Sequence, residues 1–321
     1  MTLRPLFALA LILVAAACQS PGSLPGQSAY RGAEWGGRYY PGTREALTAE
    51  VDRALRLANP TVLGNARAHG LLVPHAGYSF SANTLGQSFG ALKSHAYERV
   101  IIVGQSHRRR GHGIGTFPGA ALSAEKGFQL PTGRLDNDLA AIERLERDPL
   151  FQRRARPFDG ETAIEPLLPF VRALWPNARL VPILIGRVST DDITAIGQAI
   201  RHELDERTLL VISTTFTHFH ARDGQFPVSP DKDATLQALR DFEAPFVQRI
   251  EQRDPKAIRE WIRQNDLFLC GTRALLVGIT ALGPQGRALT VAKDWSLRDD
   301  QGPLDPKWTS GVSYRGMVFV L

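Results

Sequence analysis

Residues 71–80 read Leu-Leu-Val-Pro-His-Ala-Gly-Tyr-Ser-Phe, and the way this apolar run breaks off decides the fold. A short apolar stretch that stops at Pro74-His75-Ala76-Gly77 is how a buried strand hands the chain to a loop. Pro74 disfavours helix at Val73, and Gly77 supplies positive φ or room for a close backbone approach. His75 is therefore expected at the carboxyl end of a strand. In open α/β sheets that edge is where ligands bind.

Working outward, Leu47, Val51, Ala54 and Leu55 recur with helical spacing over residues 44–58. After the turn, Leu85, Phe89 and Leu92 share one face of a helix expected over 83–92, with Ser81 or Asn83 as its cap. Residues 99–104, Arg-Val-Ile-Ile-Val-Gly, form a continuous apolar run typical of a strand buried on both faces, and it ends in Gln105-Ser106-His107. This βαβ pattern places His75 and His107 at the same end of neighbouring parallel strands. Residues 108–133 read as a long loop or small hairpin over that end. A helix is expected over 136–146. Glu161 and Glu165, four apart, fall on one face of a helix within 159–173 that Pro166 and Pro169 bend or delay. Strand 179–185 and helix 191–204 follow. A third buried strand, 208–212, runs into Ser213-Thr214-Thr215-Phe216-Thr217-His218-Phe219-His220. Three strands thus end in histidine-bearing turns, although the chain has only 8 histidines. That convergence points to a metal or catalytic site.

Two helices over 231–250 and 255–264 lead to Cys270-Gly271, which opens an apolar helix over 272–282. A thiol there faces unpaired backbone N–H groups and the positive end of the helix dipole, which favours the thiolate. Cys270 can accordingly serve as a nucleophile, as a metal ligand or as a small buried apolar residue. Strands over 288–292 and 311–321 close the fold. The class is α/β, in one domain over residues 43–321.

The formal charge of +6 comes from basic residues interleaved with Asp and Glu, which reads as a solvated surface and not as a specific nucleic-acid footprint. The one tight cluster, Arg108-Arg109-Arg110, follows His107 and suggests steering of an anionic ligand. At the start, Arg4 precedes an apolar run over 6–17 that is too short to span a bilayer and ends at Cys18. Residues 1–18 are therefore expected to be a secretory signal, and residues 19–42, rich in Gly, Ser and Pro, a tether. With Cys18 consumed by processing, Cys270 is the one remaining thiol, and no disulfide can form within the domain.

Taken together, these residues resemble the Memo family, also called the AmmeMemoRadiSam system protein B family. The matching pieces are Val73-Pro74-His75-Ala76-Gly77-Tyr78-Ser79-Phe80-Ser81, Gly104-Gln105-Ser106-His107, Glu161 with Glu165 and Leu168-Pro169-Phe170, Ser213 with His218, Cys270-Gly271 and Val312-Ser313-Tyr314. They occur in the family's order across the domain. The resemblance implies a three-layer α/β/α fold with a mainly parallel central sheet, similar to the catalytic subunit of class III extradiol dioxygenases. It implies His75, His107 and Cys270 as metal ligands and His218 as a nearby acid or base. Two imidazoles and a thiolate suit Fe(II) or Cu, or Zn, better than Mg or Ca. The chain departs from the family at Thr215, where an Asp is usual, and at Thr162, where a His is usual. Residues 13–18 resemble a bacterial lipoprotein signal, implying a lipid anchor at Cys18 on an exported, outer-membrane or periplasm-facing protein; ordinary signal cleavage is the alternative.

The expectation is an exported Memo-like metalloprotein whose redox-active metal activates oxygen or a small substrate, with His218 exchanging protons. One alternative is a non-catalytic module that captures a peptide or anionic ligand at the same strand ends. Another is a metal-dependent hydrolase with Glu161 or Glu165 as base.

Overall fold

The structure is a computed structural model and describes residues 29–59, 61–107, 117–220, 232–298 and 310–321. In chain order the elements are β1 (Arg31–Gly32), α1 (Arg44–Leu55), β2 (Ala68–Val73), α2 (Tyr78–Gly90), β3 (Arg99–Gln105), β4 (Ala120–Leu122), β5 (Gly127–Leu130), β6 (Gly133–Asp136), α3 (Leu139–Leu145) and β7 (Phe151–Arg153). They continue with α4 (Leu168–Leu174), β8 (Arg179–Ile185), α5 (Thr190–His202), β9 (Thr208–Ser213), β10 (His218–His220), α6 (Lys232–Glu251), α7 (Pro255–Gln264), α8 (Thr272–Leu282), β11 (Arg287–Arg298) and β12 (Ser310–Val320).

Among the described residues nine strands form one sheet in the order β10-β12-β2-β9-β3-β8-β4-β7, with β11 on β12. Its centre, β2-β9-β3-β8, is parallel, while β12 and β4 flank it antiparallel. Side chains alternate across each central strand. Leu71, Val100, Ile102, Leu180, Leu209 and Val211 join the core under α1, α2 and α4. Leu72, Ile101, Val103, Val181, Leu210 and Ile212 join the opposite core under α3, α5, α6, α7 and α8. The result is the three-layer α/β/α architecture expected, because strands apolar on both faces require a helical layer on each.

Several local expectations need correction. β2 and β3 are not neighbours, because β9 runs between them with Ile101 opposite Leu210 and Leu71 opposite Val211. A crossover helix fixes the hand of a connection but leaves room for a later strand to insert. The helix expected over 83–92 begins five residues earlier, at Tyr78, directly after the histidine turn. Gly77 is its N-cap at φ −60°, so the positive φ and close approach expected there are not used. Ser81 does not cap but donates back to Ala76 O at 2.8 Å. Of the loop or small hairpin expected over 108–133, the described part holds a hairpin, β5–β6, and adds the strand β4 that joins the main sheet. Glu161 lies in a turn and Glu165 opens a 3₁₀ turn before α4, so the two do not share a helical face. Pro166 and Pro169 remove the N–H groups an earlier helix would need, which delays it to Leu168.

The tether expected over 19–42 is folded from residue 29 on. Arg31 and Gly32 pair with Phe128 and Gln129 of β5, Arg31 bridges Glu34, Glu125 and Asp159, and Tyr40 is buried. Glu165 collects this segment by accepting from Glu34 N, Trp35 N and the Tyr40 hydroxyl at 3.2, 2.8 and 2.7 Å. The signal expected over 1–18, its Cys18, and the first part of the tether lie outside the described residues.

Candidate metal centre

Each candidate ligand is carried to the sheet's carboxyl edge by a different element. His75 follows β2, His107 follows β3, and Cys270 precedes α8. A ligand atom of each lies within 4.8 Å of the other two, and the two imidazoles meet edge to face with centroids 4.9 Å apart. His75 is 4% exposed, whereas His107 and Cys270 are half-buried.

Local packing explains the Cys270-Gly271 pair. A Cβ on Gly271 would sit 2.5 Å from the Thr214 side chain and 2.8 Å from Ser213 O. Only glycine lets the start of α8 press against the end of β9 and bring the sulfur over the histidines. The same helix start is tied to β3 by Gln105 Oε1, which accepts from Arg273 N at 2.9 Å, satisfying an N–H that a helix start otherwise leaves open.

Hydrogen bonds fix both rings. His75 Nδ1 lies 2.9 Å from Ser213 Oγ, and its Nε2 is buried with no hydrogen-bond partner. Glu161 accepts from His107 N at 2.8 Å and faces His107 Nδ1 at 2.5 Å, and it also accepts from Thr162 N and Ala163 N. Nε2 is therefore the atom each ring has left to offer. A metal-binding histidine whose other nitrogen is held in this way is the usual arrangement at metal sites.

The charges follow from these contacts. Burial resists ionisation of Cys270, but the imidazoles of His107, His218 and His75 outweigh it and pull the thiol down to about 3. Burial alone would lower His107, yet the Cys270 sulfur and the Glu161 carboxylate hold it up to about 10. His75, buried most deeply, is pushed below its ordinary value, with Cys270 opposing only in part. Burial would raise Glu161, but His107 and the backbone N–H groups overcome it and hold the carboxyl low. Once His107 gives up its Nε2 proton, two imidazole nitrogens and a thiolate converging in a half-buried site form a soft, borderline donor set. The donor types and the unpartnered His75 Nε2 fit a transition metal.

His218 does not sit directly past a strand as expected. It opens β10, which pairs with Val312 of β12, and it reaches the cluster from the side. Its Nε2 lies 2.8 Å from Thr215 Oγ1, so the hydroxyl holds the ring by an uncharged partner. Phe268, 56% exposed, packs its edge on His218 with centroids 5.2 Å apart. Neither Glu161 nor Glu165 is a free base: the first carries the contacts just described and the second anchors residues 34–40. That geometry gives the hydrolase alternative no support. Arg108-Arg109-Arg110 lies outside the described residues.

One site residue escaped the sequence reading. Glu243, 2% exposed on α6, accepts from Thr217 Oγ1 at 2.8 Å and from the Ser313 hydroxyl, and pairs with Arg315 at 3.1 Å. It thereby pins the segment that carries His218. The signal was present: Leu239, Glu243, Phe246 and Ile250 form one buried stripe at helical spacing, and an acid in such a stripe requires partners.

Comparisons with known proteins show what the chain is similar to. A memo-1 homolog of Caenorhabditis elegans is 29% identical over 259 residues, covering 78% of this chain and 71% of its own. A MEMO1 family protein of Methanopyrus kandleri is 25% identical and covers 88% of this chain and 96% of its own. Among solved structures, an uncharacterized protein from Escherichia coli K12 aligns over 78% of this chain and 99% of its own, at 16% identity and a TM-score of 0.48. The family description Memo-like protein matches residues 31–318, so the span from the first buried arginine to the closing strand belongs to the Memo-like protein family.

Proposed function

We propose that this Memo-family protein holds a redox-active transition-metal ion, iron or copper, on His75, His107 and Cys270, and that it acts on oxygen or a small substrate there. The observation that carries this reading is His75 Nε2, buried without a partner among ligand atoms within 4.8 Å of one another. A metal bound on two imidazoles and a thiolate supplies one-electron chemistry and an open position for a ligand. The protein's own residues supply the rest. Glu161 holds the His107 ring, Ser213 holds the His75 ring, and Gly271 lets the sulfur approach. His218, resting on Thr215, holds or passes a proton beside the cluster. Zinc on the same ligands would give a redox-silent site.

The proposal includes export and lipid attachment at Cys18, supported by the sequence of residues 1–18 alone. Among the described residues no helix is long and apolar enough to cross a membrane.

Metal analysis of protein purified anaerobically without added metal tests the first part. Near-stoichiometric iron or copper that is lost in His75→Ala and Cys270→Ser is the expected result, and metal-free wild type would sink the reading. Bound metal with oxygen consumption and peroxide production at background would leave ligand capture as the function. For the anchor, labelled palmitate should appear in wild type and not in Cys18→Ala.

A further inference from the structure

The hydroxyl of Ser213 has one proton, and it is spent on Ala163 O. A carbonyl cannot donate, so the direction of that bond is fixed. Ser213 Oγ meets His75 Nδ1 only through a lone pair, and the ring nitrogen must therefore carry the hydrogen. His75 in its neutral form then has a bare lone pair on Nε2, the atom buried without a partner. The same short turn settles His107. Glu161 faces His107 Nδ1 with one oxygen and accepts Ala163 N on that same oxygen at 2.9 Å. A carboxylate only accepts, so His107 Nδ1 carries hydrogen as well. Ala163 therefore touches both arrangements, donating through its N–H to the His107 partner and accepting through its carbonyl from the His75 partner. Gly104 makes this possible, because a Cβ there would lie 2.7 Å from the Ala163 side chain and push the turn off β3.

We infer that Glu161, Ala163 and Ser213 form a single hydrogen-bonding shell that holds hydrogen on Nδ1 of both imidazoles and turns both Nε2 atoms toward Cys270. These are positioning residues, and the assignment rests on the metal reading above for its purpose though not for its geometry. Before any metal arrives, the shell has already removed the ring flips of both histidines and the tautomer exchange of the neutral His75, which binding would otherwise have to suppress.

Long-range proton–nitrogen spectra of protein labelled with nitrogen-15 in histidine read the tautomers directly, and Zn(II) titrated against a competing chelator reads affinity. In wild type, His75 should carry its hydrogen on Nδ1 both without metal and with Zn(II), and His107 should do so with Zn(II). Ser213→Ala should give a mixed His75 tautomer and a 10–100-fold loss of Zn(II) affinity, as is typical for losing an outer contact to a ligand histidine. Hydrogen on Nε2 of wild-type His75 overturns the inference whether or not the variant folds. A folded Ser213→Ala protein with unchanged tautomer and affinity overturns it too. The expected tautomers without any Zn(II) binding would uphold the shell and instead defeat the metal reading.

Discussion

The rings of His75 and His107 lie 4.9 Å apart, centroid to centroid, although the strands that deliver them are separated by β9. The pair is bridged by no hydrogen bond of its own, and under the proposed function a shared metal is what would join the two residues. Each of His75→Ala and His107→Ala should lower metal affinity by roughly a hundredfold or more, and the double variant should fall well short of the product of the two losses. A double-mutant cycle by chelator competition checks this; strict additivity would mean that the residues act independently.

Gly271→Ala tests the packing that brings the sulfur into place. The new methyl group would overlap the Thr214 side chain at 2.5 Å, and relief requires the start of α8 to move away from β9. A loss of about 1–3 kcal/mol in urea unfolding is expected, with weaker metal binding in the protein that remains folded. Full stability together with full metal content would show that the contact is slack.

Acid sensitivity should come from a residue at the opposite end of β2. His69 lies 3.3 Å from an Arg253 nitrogen, and burial together with that guanidinium lowers it to about 4. Unfolded, the imidazole takes a proton below about 6.5, whereas the folded protein resists until about 4, so its contribution is complete above 6.5 and is lost as pH falls through 4. The loss is on the order of 2–3 kcal/mol. Stability curves measured from pH 7 to 4 should be flatter for His69→Gln than for wild type.

Glu165 should matter to the fold and not to chemistry. Removing its carboxylate strands the N–H groups of Glu34 and Trp35 and the buried Tyr40 hydroxyl. Glu165→Ala should cost about 2–4 kcal/mol and expose residues 30–42 to limited proteolysis, while metal content per folded molecule is unchanged. Tyr40→Phe, which removes one donor, should cost about 1–2 kcal/mol.

How far the sequence could be read depended on whether a feature was local. The strands over 99–105, 179–185 and 208–213 announce themselves as apolar runs, and Thr272–Leu282 emerges at the boundaries its composition suggests. Their order in the sheet does not, since the insertion of β9 between β2 and β3 is a fact of long-range pairing. His75, His107 and Cys270 could be nominated because each sits at an element's end. Residues 30–42 misled because their Gly content suggests a tether, while Arg31 and Tyr40 find partners more than 80 positions away. Glu161 looked like a candidate base, and only its four hydrogen-bond donors disclose that it serves His107.

The clip between Ser313 and the His218 segment sets a timetable for synthesis. Phe216 N donates to Ser313 O, Ser313 N to Thr217 O, and Thr217 N to Ser313 Oγ, so the segment cannot settle until β12 exists. A ribosome that has produced His75, His107 and Cys270 still has some forty residues to add before His218 is seated. The nascent chain therefore carries all three candidate ligands before the segment bearing His218 can be clipped into place beside them.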